Sequence, residues 1–225
     1  MYVKPLFYRK VVFLFAIKNK VIVMEFHVIT DGKQTIAELI KRLSIIHNEV
    51  DYIHIREKTK SASDIMLLVS ELVAKGVQKE KLVINDRMDV AILQNIPNLH
   101  LPSHSFSIQE VKKYRPAFRI GRSIHSLEEA IQCEKEGADY LLYGHIFETT
   151  CKVDLLPRGV EQLKIICENV KVPVIAIGGI TPVTIDQLKG TNVYGVAVMS
   201  YIMQNKDPKQ ALIKLKEKSN RGEIQ

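Results

Sequence analysis

Cysteine is scarce in this chain: Cys133, Cys151 and Cys167 are the only three. Their number is odd and their spacing matches no metal-ligand pattern. That argues against a disulfide framework or a cysteine metal site and fits a reduced, cytoplasmic protein. Long apolar runs are missing too. No stretch approaches the roughly 18 apolar residues of a membrane span, so no membrane partner is expected. Linkers and low-complexity segments are absent after Met24, and the body reads as one domain. What is present is 225 residues, 46% of them hydrophobic, enough to enclose one large core.

Acidic residues are lacking at one end. The net charge is +7, but Lys4, Arg9, Lys10, Lys18 and Lys20 precede Met24 with no acid among them. Without residues 1–23 the chain holds 27 basic and 25 acidic side chains. A nearly balanced body with no basic stripe and no helix-turn-helix pattern does not read as a nucleic-acid binder. The leading segment carries a short apolar run, Val11 to Ile17, but no small-x-small cleavage site before Met24. A strand pattern starts just after Met24. The reading is that Met24 is the natural start, or that residues 1–23 are a poorly ordered extension, with 24–225 as the catalytic domain.

From Met24 strand and helix patterns alternate. Strands are expected at Phe26–Thr30, Tyr52–Arg56, Leu82–Ile84, Leu99–Leu101, Phe118–Ile120, Tyr140–Ile146, Val174–Ile177 and Val193–Met199. Helices are expected at Ile36–Ile46, Ser61–Lys75, a short one ending at Leu93, Ile108–Tyr114, Leu127–Glu136, Val160–Cys167, Pro182–Leu188 and Pro208–Lys218. Ser61 and Asp64 have capping-box spacing. Several strands are near-continuous apolar runs, as in parallel sheets buried on both faces. Eight such units in about 200 residues fit a single (β/α)₈ TIM barrel better than a doubly wound sheet.

Barrel sites form at the carboxyl ends of the strands, so the polar residues there are the candidates. The most informative end is Gly144-His145-Ile146-Phe147, where an apolar strand turns polar and delivers His145 with Thr149, Thr150, Cys151 and Lys152. Imidazole titrates near neutrality and suits proton transfer, although position alone fits a packed strand-end histidine equally well. Gly178 and Gly179 follow another strand and would let backbone N–H groups approach a phosphate, with Met199 and Ser200 adding amides after the last strand. A tight βα turn would use the same glycines.

With the strand ends in register, the chain resembles the thiamin phosphate synthase superfamily over nearly all of Met24 to Asn220. The matching pieces are His54-Ile55-Arg56-Glu57-Lys58, Ile84-Asn85-Asp86-Arg87, Gly121-Arg122-Ser123, Gly144-His145-Ile146-Phe147 with Thr149 to Lys152, Ala176-Ile177-Gly178-Gly179-Ile180 and Val196 to Ser200. Two departures from the synthase pattern favour the thiazole tautomerase (TenI) branch. Leu101-Pro102-Ser103-His104 stands where synthases carry an aspartate that helps hold magnesium, and His145 stands where they carry proline.

The resemblance implies an isomerase of thiamin biosynthesis that aromatises a dihydrothiazole carboxylate phosphate. His145 would move the proton, with no metal and no redox cofactor. It implies Arg56, Lys58, Thr149, Thr150, Cys151, Gly178, Gly179, Met199 and Ser200 as substrate-binding residues, Arg56 holding the carboxylate. Asn85, Asp86, Ser123 and Lys152 would be a vestigial diphosphate site. His54, in place of the usual glutamine, and His104 are read as packing or supporting residues, and His27 and His125 as structural. The partner is a small phosphorylated thiazole, and a homodimer is expected. The alternatives are a magnesium-dependent thiamin phosphate synthase, which the retained Arg56, Lys58, Asn85, Asp86 and Lys152 would serve, and a non-catalytic regulator.

Overall fold

The computed structural model describes residues 24–149 and 155–220; the expectations for residues 1–23 lie outside them. Among the described residues, eight strands pair in parallel and close into a barrel in chain order: β1 (Glu25–Ile29), β2 (Tyr52–Ile55), β3 (Leu82–Asn85), β4 (Asn98–Leu101), β5 (Arg119–Ile124), β6 (Tyr140–Gly144), β7 (Val174–Ile177) and β8 (Gly195–Val198). The helices are α1 (Ile36–Ile46), α2 (Ala62–Ala74), α3 (Met88–Leu93), α4 (Ile108–Tyr114), α5 (Leu127–Lys135), α6 (Gly159–Asn169), α7 (Ser200–Met203) and α8 (Pro208–Asn220). The TIM barrel expected from the alternating pattern is the fold observed.

Helix starts follow from local chemistry. Thr35, Ser61 and Ser107 cap α1, α2 and α4, each paired with an acid three residues on (Glu38, Asp64 and Glu110) in a reciprocal box. Each such cap satisfies backbone N–H groups that the first turn leaves open and contributes about 1 kcal/mol. Alternation along the strands then sorts side chains. Val28, Ile53, Ile55, Ile84 and Leu99 point outward into the large core beneath the helices. A second, smaller cluster contains Ile29, Tyr140, Leu142, Ile175 and Ala197. Gly121 makes room for Tyr140, because a Cβ there would overlap the phenol ring.

Strand β5 runs four residues past its expected end, to Ile124, and two further elements differ from the sequence expectation. The helix expected over Pro182–Leu188 is only a 3-10 turn, Ile185–Leu188. The Thr184 hydroxyl donates to the Gly179 carbonyl at 2.8 Å and accepts from the Thr181 N–H at 2.9 Å. These bonds compete with the helical ladder. Strand β6 stops at Gly144, and the Gly144–His145 peptide is cis. Past it, the Ile146 N–H donates to the Ile177 carbonyl at 2.9 Å and the Phe147 N–H to the Gly178 carbonyl at 3.0 Å. The segment carrying His145 is thus tied to the end of β7.

Candidate active site

A cavity of about 350 Å³ opens at the carboxyl end of the barrel. Ile29, Leu142, Ile177 and Ala197 form apolar parts of its wall, and strand-end residues form the rest. It gathers most of the residues singled out from the sequence: Arg56 and Lys58 after β2, Asn85 from β3, Ser123 from β5, His145 and Thr149 after β6, Gly178 and Gly179 after β7, and Met199 and Ser200 after β8. Thr150, Cys151 and Lys152 lie outside the described residues.

The β2–β3 side is cationic and continues into an adjoining cavity of about 260 Å³ lined by Glu57, Lys58, Asn85, Asp86, Arg87, Pro102 and His104. The Arg56 N–H donates to the Thr30 hydroxyl at 2.8 Å, which pins the chain where the guanidinium emerges. Asp86 adopts a left-handed backbone, φ 65°. Aspartate tolerates that region, though at some cost. His104 Nε2 stands 3.9 Å from Asp86 Oδ2, so the altered Pro102-Ser103-His104 loop brings an imidazole toward that carboxylate. Glu57 is buried. One of its oxygens pairs with Lys60 Nζ at 2.5 Å, and Oε1 has no hydrogen-bond partner.

The β7–β8 side is built from backbone. Gly178 and Gly179 have φ values of 101° and 68°, a region that L side chains rarely enter. A Cβ on Gly178 would overlap His145, and one on Gly179 would overlap Phe147 and the Glu148 carbonyl. The pair therefore permits both the turn and the close approach of the β6 loop. His145 packs against this turn and is buried. Its Nε2 lies 3.1 Å from the Leu155 carbonyl. A carbonyl can only accept, so Nε2 carries the proton. Arg158 braces the same loop by donating from Nε to the Gly144 carbonyl at 3.2 Å and from Nη1 to the His125 carbonyl at 2.7 Å.

The cavity floor holds two residues that the sequence reading left out of the site or gave only a packing role, His100 and His54. His100 contacts the Tyr140 hydroxyl through Nδ1 at 3.1 Å and the Ser123 hydroxyl through Nε2 at 2.8 Å. Burial, reinforced by His27 and nearby arginines, lowers its pKa to about 3. Burial likewise holds His54 well below the ordinary imidazole value. The available signal was strand parity: His54 follows Tyr52 by two residues, and His100 follows Asn98 by two, on faces opposite the outward apolar residues. His27 is fully buried, as a structural reading requires, but it also joins this histidine group. His125 lines the cavity as well, its Nδ1 lying 3.3 Å from the Gly144 carbonyl.

A sequence model described as thiamine monophosphate synthase matches residues 26–202. A protein of Aquifex aeolicus named putative thiamine-phosphate synthase 2 is 35% identical over 180 residues, 79% of this chain and 97% of that one. A thiamine-phosphate synthase of Pyrococcus furiosus is 40% identical over 134 residues, 60% of this chain and 65% of the relative. A solved thiamine phosphate pyrophosphorylase from Pyrococcus furiosus superposes with TM-score 0.75 at 29% identity, covering 91% of this chain and 98% of its own.

These relatives overturn the expectation of an isomerase that aromatises a thiazole at His145. Both sequence relatives carry the synthase name. The geometry supplies a physical reason for the error. The His145 ring is engaged with the Leu155 carbonyl and packed on Gly178, a setting that accounts for a histidine there without proton transfer. The replaced magnesium carboxylate and the missing proline carried too much weight against the retained Arg56, Lys58, Asn85 and Ser123, which share one cavity.

Proposed function

This chain belongs to the thiamine monophosphate synthase family, and on that premise we propose that it is a transferase joining a pyrimidine diphosphate to a thiazole phosphate to make thiamine phosphate. The observation that carries the reading is that one cavity has cationic side chains on one side and a glycine turn on the other. Arg56 and Lys58 stand after β2, near β3; Gly178 and Gly179 follow β7, and Met199 and Ser200 follow β8. In an eight-stranded barrel closed in chain order, β3 and β7 face each other. Two phosphorylated substrates can enter head to head with their rings over the apolar centre.

In the reaction the bond between the pyrimidine methylene carbon and the diphosphate oxygen breaks, and diphosphate leaves with the electron pair. The thiazole ring nitrogen uses its lone pair to bond that carbon and becomes quaternary. No electron acceptor is needed. Arg56 and Lys58 meet the charge that builds on the leaving oxygens; such fixed charges act most strongly in a site closed to water. The Gly178–Gly179 turn holds the thiazole phosphate through backbone N–H groups, with Met199 and Ser200 at the start of α7 beside it. Thr149 closes one edge of the cavity. His145 supports the wall between the two sides.

The synthase resemblance implies magnesium. Asp86 offers a carboxylate and Glu57 Oε1 is a buried oxygen without a partner on the same cavity. Among the described residues no group of three or more His, Cys, Asp or Glu side chains is placed to hold a metal ion by itself. Magnesium is ordinarily held by one or two carboxylates together with substrate phosphates. The residues fit an ion of that kind, with Asp86 holding it. When bound with the diphosphate it would neutralise charge on the leaving group.

The test is to supply both substrates with magnesium and measure thiamine phosphate as its fluorescent oxidation product. Native protein is expected to release one diphosphate per thiamine phosphate formed. Asp86→Asn should slow turnover by about 10²-fold, the order seen when one electrostatic stabiliser is removed, and should raise the magnesium concentration required. A folded native protein that forms no product under these conditions refutes the reading.

A further inference from the structure

Barrel interiors of this kind are usually filled by branched apolar side chains. This one carries a polar line instead. Arg119 opens β5 at the amino-terminal end of the barrel, and Ser123, farther along the same strand, lines the cavity. Tyr140 and His100 stand between them. The Arg119 guanidinium carbon lies 4.2 Å from the centroid of the Tyr140 ring and 4.3 Å from that of Tyr52. The Tyr140 hydroxyl lies 3.1 Å from His100 Nδ1, and His100 Nε2 lies 2.8 Å from the Ser123 hydroxyl.

The direction of that line follows from what each group can do. Tyr140 is fully buried, and burial raises its pKa, so the phenol keeps its proton. Among the described residues His100 Nδ1 is the one hydrogen-bond partner of that phenol. If Nδ1 donated, the phenol O–H would be left buried without an acceptor, a costly arrangement. The phenol therefore donates and Nδ1 accepts. Arg119, a cation on the face of the phenol ring, draws charge off the hydroxyl and makes it a better donor. The His100 ring is buried between two uncharged hydroxyls, a setting that keeps an imidazole neutral. Its one proton is then on Nε2, which donates to Ser123 Oγ. The serine keeps its own proton for another partner. Unlike the two residues behind it, Ser123 is only half-buried, in the cavity wall.

We propose that Tyr140, acting through His100, sets the Ser123 hydroxyl as a hydrogen-bond donor into the cavity, so that this wall takes a ligand oxygen that can only accept, such as an ionised phosphate oxygen. That the oxygen belongs to the diphosphate rests on the synthase reading. Tyr140 and His100 are positioning residues; only Ser123 meets the ligand. A serine free to turn would spend part of its time donating to the histidine instead, and the anion would lose that partner.

The experiment has two parts. Heteronuclear NMR on the native protein with isotope-labelled histidine reads which His100 nitrogen is protonated; Nε2 is expected. Calorimetry with inorganic diphosphate and magnesium then compares native protein, Ser123→Ala, Tyr140→Phe and the double variant. With Tyr140 in place, Ser123→Ala should weaken diphosphate binding by about tenfold or more, as for a hydrogen bond to a charged group. Tyr140→Phe leaves His100 Nδ1 without its donor, so the ring proton is no longer held on Nε2 and the serine can turn back toward that nitrogen. In that background Ser123→Ala should cost about twofold or less, because coupled residues do not contribute additively. A phenol that only fills space would change stability and leave the Ser123→Ala loss the same in both backgrounds.

A native spectrum with His100 protonated on Nδ1 overturns the proposal, whether or not the variants fold. So does an equal Ser123→Ala loss in the native and the folded Tyr140→Phe backgrounds, or native protein that binds diphosphate no better than Ser123→Ala. Neither measurement requires turnover. A protein with the expected tautomer and coupling that makes no thiamine phosphate sinks the synthase reading and leaves the Tyr140 line standing. One that makes thiamine phosphate but shows equal losses does the reverse.

Discussion

The buried histidines make acid lability a strong expectation. In the unfolded chain each histidine takes up a proton as pH falls through about 6.5. In the folded barrel His100 resists protonation down to about 3, His54 lies well below the ordinary value, and His27 is lowered too, burial being the chief cause each time. The unfolded state therefore binds more protons in this window, and stability rises with pH. The contribution is complete above pH 6.5 and is lost progressively as pH drops toward the folded values. Each buried neutral histidine contributes a slope of about 1.4 kcal/mol per pH unit. For His100 alone the loss between pH 6.5 and pH 4 is about 3 kcal/mol, a sizeable part of the usual 5–15 kcal/mol. Urea unfolding followed by circular dichroism at several pH values measures it; the chain has no tryptophan to report by fluorescence. Comparing native protein with His100→Gln removes the carboxylate titrations common to both, whatever the variant's absolute stability. The native slope should exceed the variant slope by about one proton between pH 6 and pH 4. Equal slopes would refute the claim that His100 is held neutral.

Two further outcomes follow from the glycines. Gly121→Ala places a methyl group against the Tyr140 ring and should cost about 1–3 kcal/mol by overpacking, measured as a lowered urea midpoint. Gly179→Ala forces a side chain into a left-handed turn and against Phe147. It should raise KM for thiazole phosphate about tenfold or more with a much smaller effect on KM for pyrimidine diphosphate, and equal effects on both would place the phosphate elsewhere.

The relation between sequence and site differs from residue to residue. The barrel was legible because each unit repeats the same local signals. Apolar strands alternate with helical segments, several of them capped, and Ser61 with Asp64 forms the expected box. The cavity-lining residues at the strand ends were legible for the same reason: once the strands are in register, the fold places their carboxyl ends at one mouth. The helix expected after β7 was misjudged, because Thr184 trades helical bonds for contacts to Gly179 and Thr181 that no periodicity registers. His145 was misjudged because a histidine after a strand offers the same signal whether it moves a proton or braces a loop.

The sequence by itself determined the eight strands and most of the helices between them, the near-balanced charge of the body and the set of strand-end residues, since these depend on local periodicity, capping and composition. Only the tertiary structure decided that Glu25, His27 and His54 lie in one hydrogen-bonded line. It alone showed that His104 leans toward Asp86 and that the His145 ring is committed to the Leu155 carbonyl. Those facts depend on which nitrogen faces which acceptor across neighbouring strands or loops, and the direction of a hydrogen bond between separate elements leaves no periodic trace in the chain.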